Sequence, residues 1–268
     1  MTADRMPTSF GRRAYGLGVM ALGIVALAWG DFDPGQPVAK AIPDRAVLAY
    51  AAAAFMVVAG AAVLWRRTAG WAAGALTAYY GLIVVMLMNG RVALAHPTVY
   101  GAYSGAAEPL AVAAGALIVY AAGAGIDAAL AARLTRLGQL AFGVCALLFG
   151  GAHFVYMNLT APLVPGWLPP SREFWGYATG VAHIAAGVAI LTGVQARLAA
   201  ILLTVMYASF TPLVHLPILL ADRSSHFNWS ENALNLALTG AAWVVADSLA
   251  RPVTDIDPRP AVGAGTAG

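Results

Sequence analysis

The sequence predicts an all-α integral membrane protein with eight transmembrane helices in two parallel four-helix bundles. Hydrophobic residues make up 60% of the 268 positions and charged residues 10%, and the mean hydropathy is +0.74. These values lie outside the usual range of soluble globular domains. The charges form short clusters between apolar stretches of about 20 residues, the length that a helix needs to cross about 30 Å of hydrocarbon. The two halves of the chain also repeat, which predicts the division into two bundles.

Each predicted span is an apolar run bounded by charged, glycine or proline residues. The first run follows Arg12 and Arg13 and ends in "ALAWGD", so it resembles a cleavable signal peptide. Because the repeat pairs this run with the fifth span, we expect it to be retained as a structural helix. In chain order, the eight predicted spans are residues 15–30, 46–65, 71–89, 106–123, 137–157, 174–193, 198–221 and 231–249.

The basic residues predict the orientation of the chain in a cell membrane. Ten of the fifteen fall on the side that holds both termini, and the positive-inside rule makes that side cytoplasmic. Although the pI is about 9.2, no basic patch is interleaved with aromatic residues, so nucleic acid is excluded as a partner. The ten are Arg5, Arg12, Arg13, Arg66, Arg67, Arg133, Arg136, Arg197, Arg251 and Arg259; the other five are Lys40, Arg45, Arg91, Arg172 and Arg223.

An internal repeat relates the first four spans to the last four. With a shift of 127 residues, "AGAAVL" from Ala59 falls on "AGVAIL" from Ala186, and Tyr80 falls on Tyr207. A shift of 125 superimposes Gly18 on Gly143. Four spans is an even number, so the repeat is parallel. We therefore expect a first membrane repeat at 1–123, a cytoplasmic linker at 124–136, a second repeat at 137–249 and a disordered cytoplasmic tail at 250–268.

Polar residues in the second repeat are the main functional candidates. Helix geometry puts His153, His183 and His215 in the outer half of the membrane, with His183 near its middle. Glu231 and Asn235 are four residues apart at the start of the eighth span and share a face. In the first repeat the positions of the three histidines and Asn235 hold apolar residues, so packing alone does not require polar ones. Those apolar equivalents are Ala28, Met56, Met88 and Leu110.

Structural roles remain open for each of these residues. His153 and His215 are near enough to the interface to contact water, and His183 could form a helix-to-helix hydrogen bond. Glu231 also fits a capping box at the start of the eighth span. Glu108, before Pro109, is expected in the first turn of the fourth span, where an acid favours the helix dipole.

The second half also resembles a known family. It contains "GGAHFVYM", then the proline-rich "PLVPGWLP", then "TGVAHIAAGVAILTGVQARLAAILLTVMYASFTPLVH". This order is similar to that of the DoxX family of small four-helix membrane proteins, over residues 137–249. The family includes a subunit of thiosulfate:quinone oxidoreductase and members linked to redox complexes. The resemblance implies a DoxX-like fold and suggests a redox-associated role.

Three functions remain open at this stage. In the first, the chain is a quinone-interacting redox subunit in which His153 or His215 contacts a quinone oxygen, with Tyr156, Trp167 and Trp175 beside the pocket. The second is a b-type haem protein with two of the histidines as axial ligands. The third is a non-enzymatic scaffold or a binder of a lipid-like molecule. One cysteine and no flavin or CxxC motif mean that a redox role needs a partner subunit, and whether any reaction is catalysed stays open.

Overall fold

A computed structural model describes residues 9–250, which form helices and no strand. Two segments inside longer helices, Tyr79–Asn89 and Thr211–His215, are π-helical. Two short helical turns, Met157–Thr160 and Ala161–Leu163, follow the long helix that ends at Val155. The eight long helices of this described region are α1 (Ser9–Trp29), α2 (Arg45–Val63), α3 (Arg66–Ala95), α4 (Tyr100–Gly123), α5 (Ala128–Val155), α6 (Arg172–Thr192), α7 (Ala196–Ala221) and α8 (His226–Ser248).

Seven of these helices, α1 to α7, are long and apolar enough to cross a membrane. The predicted class, an all-helical membrane protein, is therefore confirmed at that level. Helix α8 has 23 residues but is more polar than the other seven. It lies in the interior of the protein, against α1, α4 and α7. Helices surrounded by other helices can contain polar groups that a lipid-facing helix cannot.

Several helix boundaries differ from the sequence prediction, and two of them change the expected place of a residue or segment. Helix α5 begins at Ala128, inside the segment 124–136 that was expected to be a linker, because Asp127 accepts hydrogen bonds from the backbone N–H groups of Ala129 and Leu130 at 3.0 and 3.1 Å. Helix α4 begins at Tyr100. Glu108 therefore lies about two turns inside α4, and its predicted place in the first turn is wrong. The expected tail lies, from residue 251 onward, outside the described residues.

The helix contacts repeat between the two halves. Helices α1, α2, α3 and α4 pack in sequence, and α5, α6, α7 and α8 pack in the same order. The two halves also contact each other. Helix α1 packs most extensively on α8, α5 packs on α4, and α4 and α8 meet in the centre. The two four-helix repeats are therefore in extensive contact with each other. Each central helix contributes to the packing of both repeats.

Glycines allow helices of the two repeats to approach each other closely. A Cβ atom on Gly240 would lie 2.1 Å from the backbone nitrogen of Tyr15, and one on Gly18 would lie 2.3 Å from that of Ala237. The matching contact of α5 with α4 involves Gly138, where a Cβ atom would lie 2.9 Å from the carbonyl oxygen of Ala114. Small residues of this kind bring helix backbones together in membranes.

An arginine stabilises the same helix end in each repeat. Arg136 donates to the carbonyl oxygens of Ile190 and Leu191 at 3.2 and 2.7 Å, near the end of α6. Arg12 donates to the carbonyl oxygen of Val63 at the end of α2. The last carbonyls of a helix have no partner within it, so these cationic side chains satisfy them.

We expect Gly240→Ala to destabilise the protein, because the added methyl group would collide with the backbone of α1. The cost should be about 1–3 kcal/mol, as for overpacked cores. Gly105→Ala is the matched control, since nothing lies within 4 Å of a Cβ atom there. Thermal unfolding in detergent should show a lower Tm for Gly240→Ala and an equal or higher Tm for Gly105→Ala. Equal Tm values for Gly240→Ala and the unmodified protein would contradict the close α1–α8 contact.

Candidate functional site

His183, in the middle of α6, is the centre of an aromatic cluster. Its side chain is only 2% exposed. Nδ1 lies 2.9 Å from the carbonyl oxygen of Thr179, one turn earlier in the helix. If Nδ1 carries the ring hydrogen and donates it to this carbonyl, Nε2 is left with a free lone pair. The helix backbone thus favours one tautomer, with an acceptor directed away from Thr179.

Four rings from α5 and α7 surround the imidazole of His183. The ring of His153 stacks on it, with centroids 5.5 Å apart and an angle of 29° between the planes. The ring of Tyr207 also lies 5.5 Å away, at 42°. Phe149 and Phe210 complete the cluster at 6.0 and 6.5 Å. This His183 cluster therefore presents flat apolar surfaces together with two imidazoles and a phenol.

Two polar atoms in the His183 cluster have no hydrogen-bond partner among the described residues. They are Nδ1 of His153 and the hydroxyl oxygen of Tyr207, and both are buried. Leaving a buried polar group unpaired costs about 1–3 kcal/mol. Almost all such groups in folded proteins are paired, so each exception calls for a specific explanation. Two in one cluster indicate a place where a ligand could supply the missing bonds.

At the corresponding position of the first repeat, the tyrosine hydroxyl has a hydrogen-bond partner. Tyr80 corresponds to Tyr207, and Met56 corresponds to His183. The hydroxyl of Tyr80 donates to the sulfur of Met56 at 3.1 Å. Replacing this methionine by a histidine that bonds to its own helix leaves Tyr207 without that acceptor. The two repeats therefore differ in hydrogen bonding at this point.

Asn235 bonds to the backbone of α7. Its amide nitrogen donates to the carbonyl oxygen of Tyr207 at 2.9 Å and to the hydroxyl of Thr211 at 2.8 Å. Pro212 has no N–H group and interrupts the helix ladder just after these residues. Asn235 thus supplies a donor where the π-helical segment of α7 lacks one.

The other predicted residues lie at separate places. His215 is partly buried in the π-helical segment of α7, and its carbonyl oxygen accepts a hydrogen bond from Asn232 at 3.0 Å. Glu231 is within electrostatic range of Asp33 in the α1–α2 loop. The structure therefore brings His153 and His183 into contact and places Glu231 in a different, acidic group.

The predicted aromatic residues are on the periphery. The hydroxyl of Tyr156 accepts a hydrogen bond from the backbone of Gly101 at 2.9 Å, at the start of α4. Trp167, in the proline-rich loop, is 71% exposed. Trp175 donates through its indole nitrogen to the carbonyl oxygen of Pro169 at 2.9 Å, which fixes that loop to α6.

The geometry of the histidines does not fit a haem held between His153 and His183. Stacked, nearly parallel rings present their faces to each other, whereas two axial ligands must direct ring nitrogens at one iron from opposite sides. Among residues 9–250, no group of three or more His, Cys, Asp or Glu side chains is arranged to hold a metal ion.

Sequence reasoning missed a second polar group, in the loop between α1 and α2. Asp33 is 9% exposed and Gln36 4%, although both are in a loop. Gln36 accepts a hydrogen bond from the hydroxyl of Tyr79 at 3.0 Å, and Gly35 donates to Asp33 at 2.9 Å. Burial raises the pKa of the Asp33 carboxyl group. The stretch "DFDPGQP" contains polar residues between prolines and is the feature that could have suggested a loop folded inward.

One family matches part of the chain. Residues 142–246 match the family described as "Domain of unknown function (DUF8561)". The match lies within the second repeat and includes His153, His183 and Tyr207. No curated protein and no solved structure is significantly similar to the chain. The description of the matched family attaches no activity to these residues.

We expect Asn235→Ala to destabilise the protein by about 1–3 kcal/mol, because the carbonyl of Tyr207 would lose its side-chain donor. Asn158→Ala is the control, since Asn158 is exposed in the loop after α5. Thermal unfolding should show a lower Tm for Asn235→Ala alone. Equal Tm values for the two variants would argue against the support of α7 by Asn235.

Proposed function

We propose that the protein is a membrane-embedded subunit that binds a quinone at the His183 cluster. The observation that supports this best is the pair of buried, unpartnered polar atoms on His153 and Tyr207. Both rings lie 5.5 Å from the ring of His183. A ligand with acceptor oxygens and a flat apolar ring matches this combination of groups.

The chemistry of each side chain suits this class of ligand. A quinone carbonyl accepts hydrogen bonds, which the hydroxyl of Tyr207 and a protonated nitrogen of His153 can donate. The rings of Phe149 and Phe210 favour stacking with a planar ring. The resemblance of the second repeat to DoxX proteins supports a redox-associated role. Since the chain has one cysteine, which is buried, and no flavin motif, electrons come from a partner subunit in this proposal.

The proposal includes a finer topology. All eight helices span the plasma membrane, with α8 enclosed by the others, and both termini are cytoplasmic. The excess of basic residues on the side of the termini supports this orientation. The His183 cluster then lies in the outer half of the bilayer.

A second candidate is a non-enzymatic scaffold or a binder of a lipid-like molecule. Hydrogen bonds of His183 and Asn235 to backbone carbonyls favour it, because both side chains then have structural roles. In that case the polar residues stabilise α6 and α7, and quinone affinity should not depend on them.

Binding of a short-chain quinone to the purified protein tests the first candidate. We expect Tyr207→Phe to raise the Kd up to about tenfold, the effect of one lost hydrogen bond. His183→Met should raise the Kd by a similar factor, because a methionine there would supply Tyr207 with the acceptor that Met56 gives Tyr80. Isothermal titration calorimetry in detergent measures the affinities.

Tyr80→Phe is the matched control, since it changes the equivalent tyrosine of the first repeat. Its affinity for the quinone should equal that of the unmodified protein. If Tyr207→Phe and His183→Met also bind with unchanged affinity, the quinone site is not at the His183 cluster. Retained folding of each variant is checked by its Tm.

Labelling of introduced cysteines tests the topology. In a Cys145→Ser background, an impermeant maleimide should label Trp167→Cys in intact cells, because the proposal puts this exposed side chain outside. Val194→Cys, exposed in the α6–α7 loop, should react only after permeabilisation. The reverse pattern would invert the orientation.

A further inference from the structure

A cavity lies between the α1–α2 loop and the end of α3. Its volume is about 490 Å³, and sites of small organic ligands usually measure about 300–1,000 Å³. The loop contributes residues 37–40, and α3 contributes one face of its last two turns. This loop–α3 cavity is formed by the first repeat, whereas the His183 cluster belongs to the second. The lining residues from α3 and its end are Met88, Arg91, Val92, Ala95 and His96.

Hydrogen bonds from α3 hold the loop that forms one wall of the cavity. The amide nitrogen of Asn89 donates to the carbonyl oxygen of Gly35 at 3.2 Å. The hydroxyl of Tyr79 donates to the side chain of Gln36 at 3.0 Å. The side chains of Asn89 and Gln36 are both buried. Because these bonds fix the loop against the helix, a ligand would meet a cavity that is already formed, which lowers the entropic cost of binding.

The polar lining of the cavity is cationic. It contains Lys40 and Arg91, and no acidic side chain of the described residues lines it. In the part of the chain that the structure describes, neither of these two side chains forms an ion pair or a hydrogen bond. The nearby Arg45, by contrast, pairs with Asp31. The C-terminal end of α3 adds about half an elementary negative charge, which two full positive charges outweigh. The cavity therefore favours an anion.

The length of α3 places the cationic part of the cavity at the level of lipid head groups. Helix α3 has 30 residues, which corresponds to about 45 Å at the α-helical rise. A bilayer with its head-group regions is about 40–45 Å thick. A helix of this length therefore ends among head groups, and Arg91 is about 6 Å from that end. Met88 lies about one turn deeper and gives the cavity an apolar part on the side of the hydrocarbon.

The second repeat shows that this helix end does not need a cation to fold. With the shift of 127 residues, Met88 falls on His215 and Arg91 falls on Ile218. The equivalent end of α7 therefore has an apolar side chain where α3 has an arginine. The positive charge of Arg91 is thus a feature of the first repeat alone.

We propose that the loop–α3 cavity binds the phosphate group of an anionic phospholipid, with Lys40 and Arg91 as its counter-charges. Both side chains donate charge-assisted hydrogen bonds to phosphate oxygens, and the ring of His96 can add another. Two positive charges exceed the single charge of a phosphodiester, which favours a head group without an ammonium group, such as that of phosphatidylglycerol. The apolar side chains of Met88 and Val92 then contact an acyl chain. This site does not depend on quinone binding.

Native mass spectrometry of the delipidated full-length protein, titrated with phosphatidylglycerol or phosphatidylcholine, tests the proposal. We expect one phosphatidylglycerol to bind with a Kd at least about fivefold below that of phosphatidylcholine, whose ammonium group meets like charges. Arg91→Gln and Lys40→Gln should each raise the Kd for phosphatidylglycerol about fivefold, the upper effect of one exposed ion pair. Arg91→Lys should retain most of the affinity, because lysine also binds phosphate.

Arg223→Gln is the matched control. Arg223 is exposed in a loop on the same predicted side of the membrane, and it does not line the cavity. Its replacement should leave the Kd unchanged. An equal loss of affinity in Arg223→Gln and Arg91→Gln would overturn the proposal, because lipid would then respond to surface charge in general.

The unmodified protein alone decides the matter if a variant does not fold. Equal affinities for the two lipids would overturn the proposal. Binding of neither lipid would overturn it as well, and the cations would then be available to an acidic segment of a partner subunit. Inorganic phosphate distinguishes the source of the phosphate group: if it binds as tightly as phosphatidylglycerol, the site holds a free anion and not a lipid. Quinone affinity should be unchanged in Arg91→Gln, so this proposal and the quinone site fail independently.

Discussion

Close contact between α1 and α8, and between α4 and α5, determines the architecture of this protein. Glycines at these contacts let backbones approach to distances at which even a methyl group would collide. Because α1 of the first repeat packs on α8 of the second, and α5 of the second repeat packs on α4 of the first, α4 and α8 become the central helices.

The central position of α8 explains how a comparatively polar helix is accommodated. Asn235 supports the interrupted ladder of α7, and Ser230 on the same helix is buried. The same polarity would be costly in a helix exposed to lipid. Polar residues are thus concentrated where neighbouring helices, and not the bilayer, form the surroundings.

The sequence predicted the membrane class and the seven helices that are long and apolar enough to cross a membrane, because hydropathy and charge clusters are local properties. It did not predict that α5 starts at Ala128, since a helical turn outside the membrane needs no apolar run. The contact between His153 and His183 could be predicted, because the two residues belong to helices that are consecutive in the chain. The sequence did not predict the burial of Asp33 and Gln36, because the inward path of their loop depends on tertiary contacts.

The contacts between the two repeats have an evolutionary consequence. If a single four-helix unit preceded the present chain, two identical copies could assemble around a two-fold axis perpendicular to the membrane with the same pairings that α1–α8 and α4–α5 make now. Fusion of the two copies frees each position to diverge. Met56 and His183 illustrate this: in a homodimer both copies would carry the same residue, whereas the fused gene keeps a satisfied tyrosine in one half and an unsatisfied one in the other.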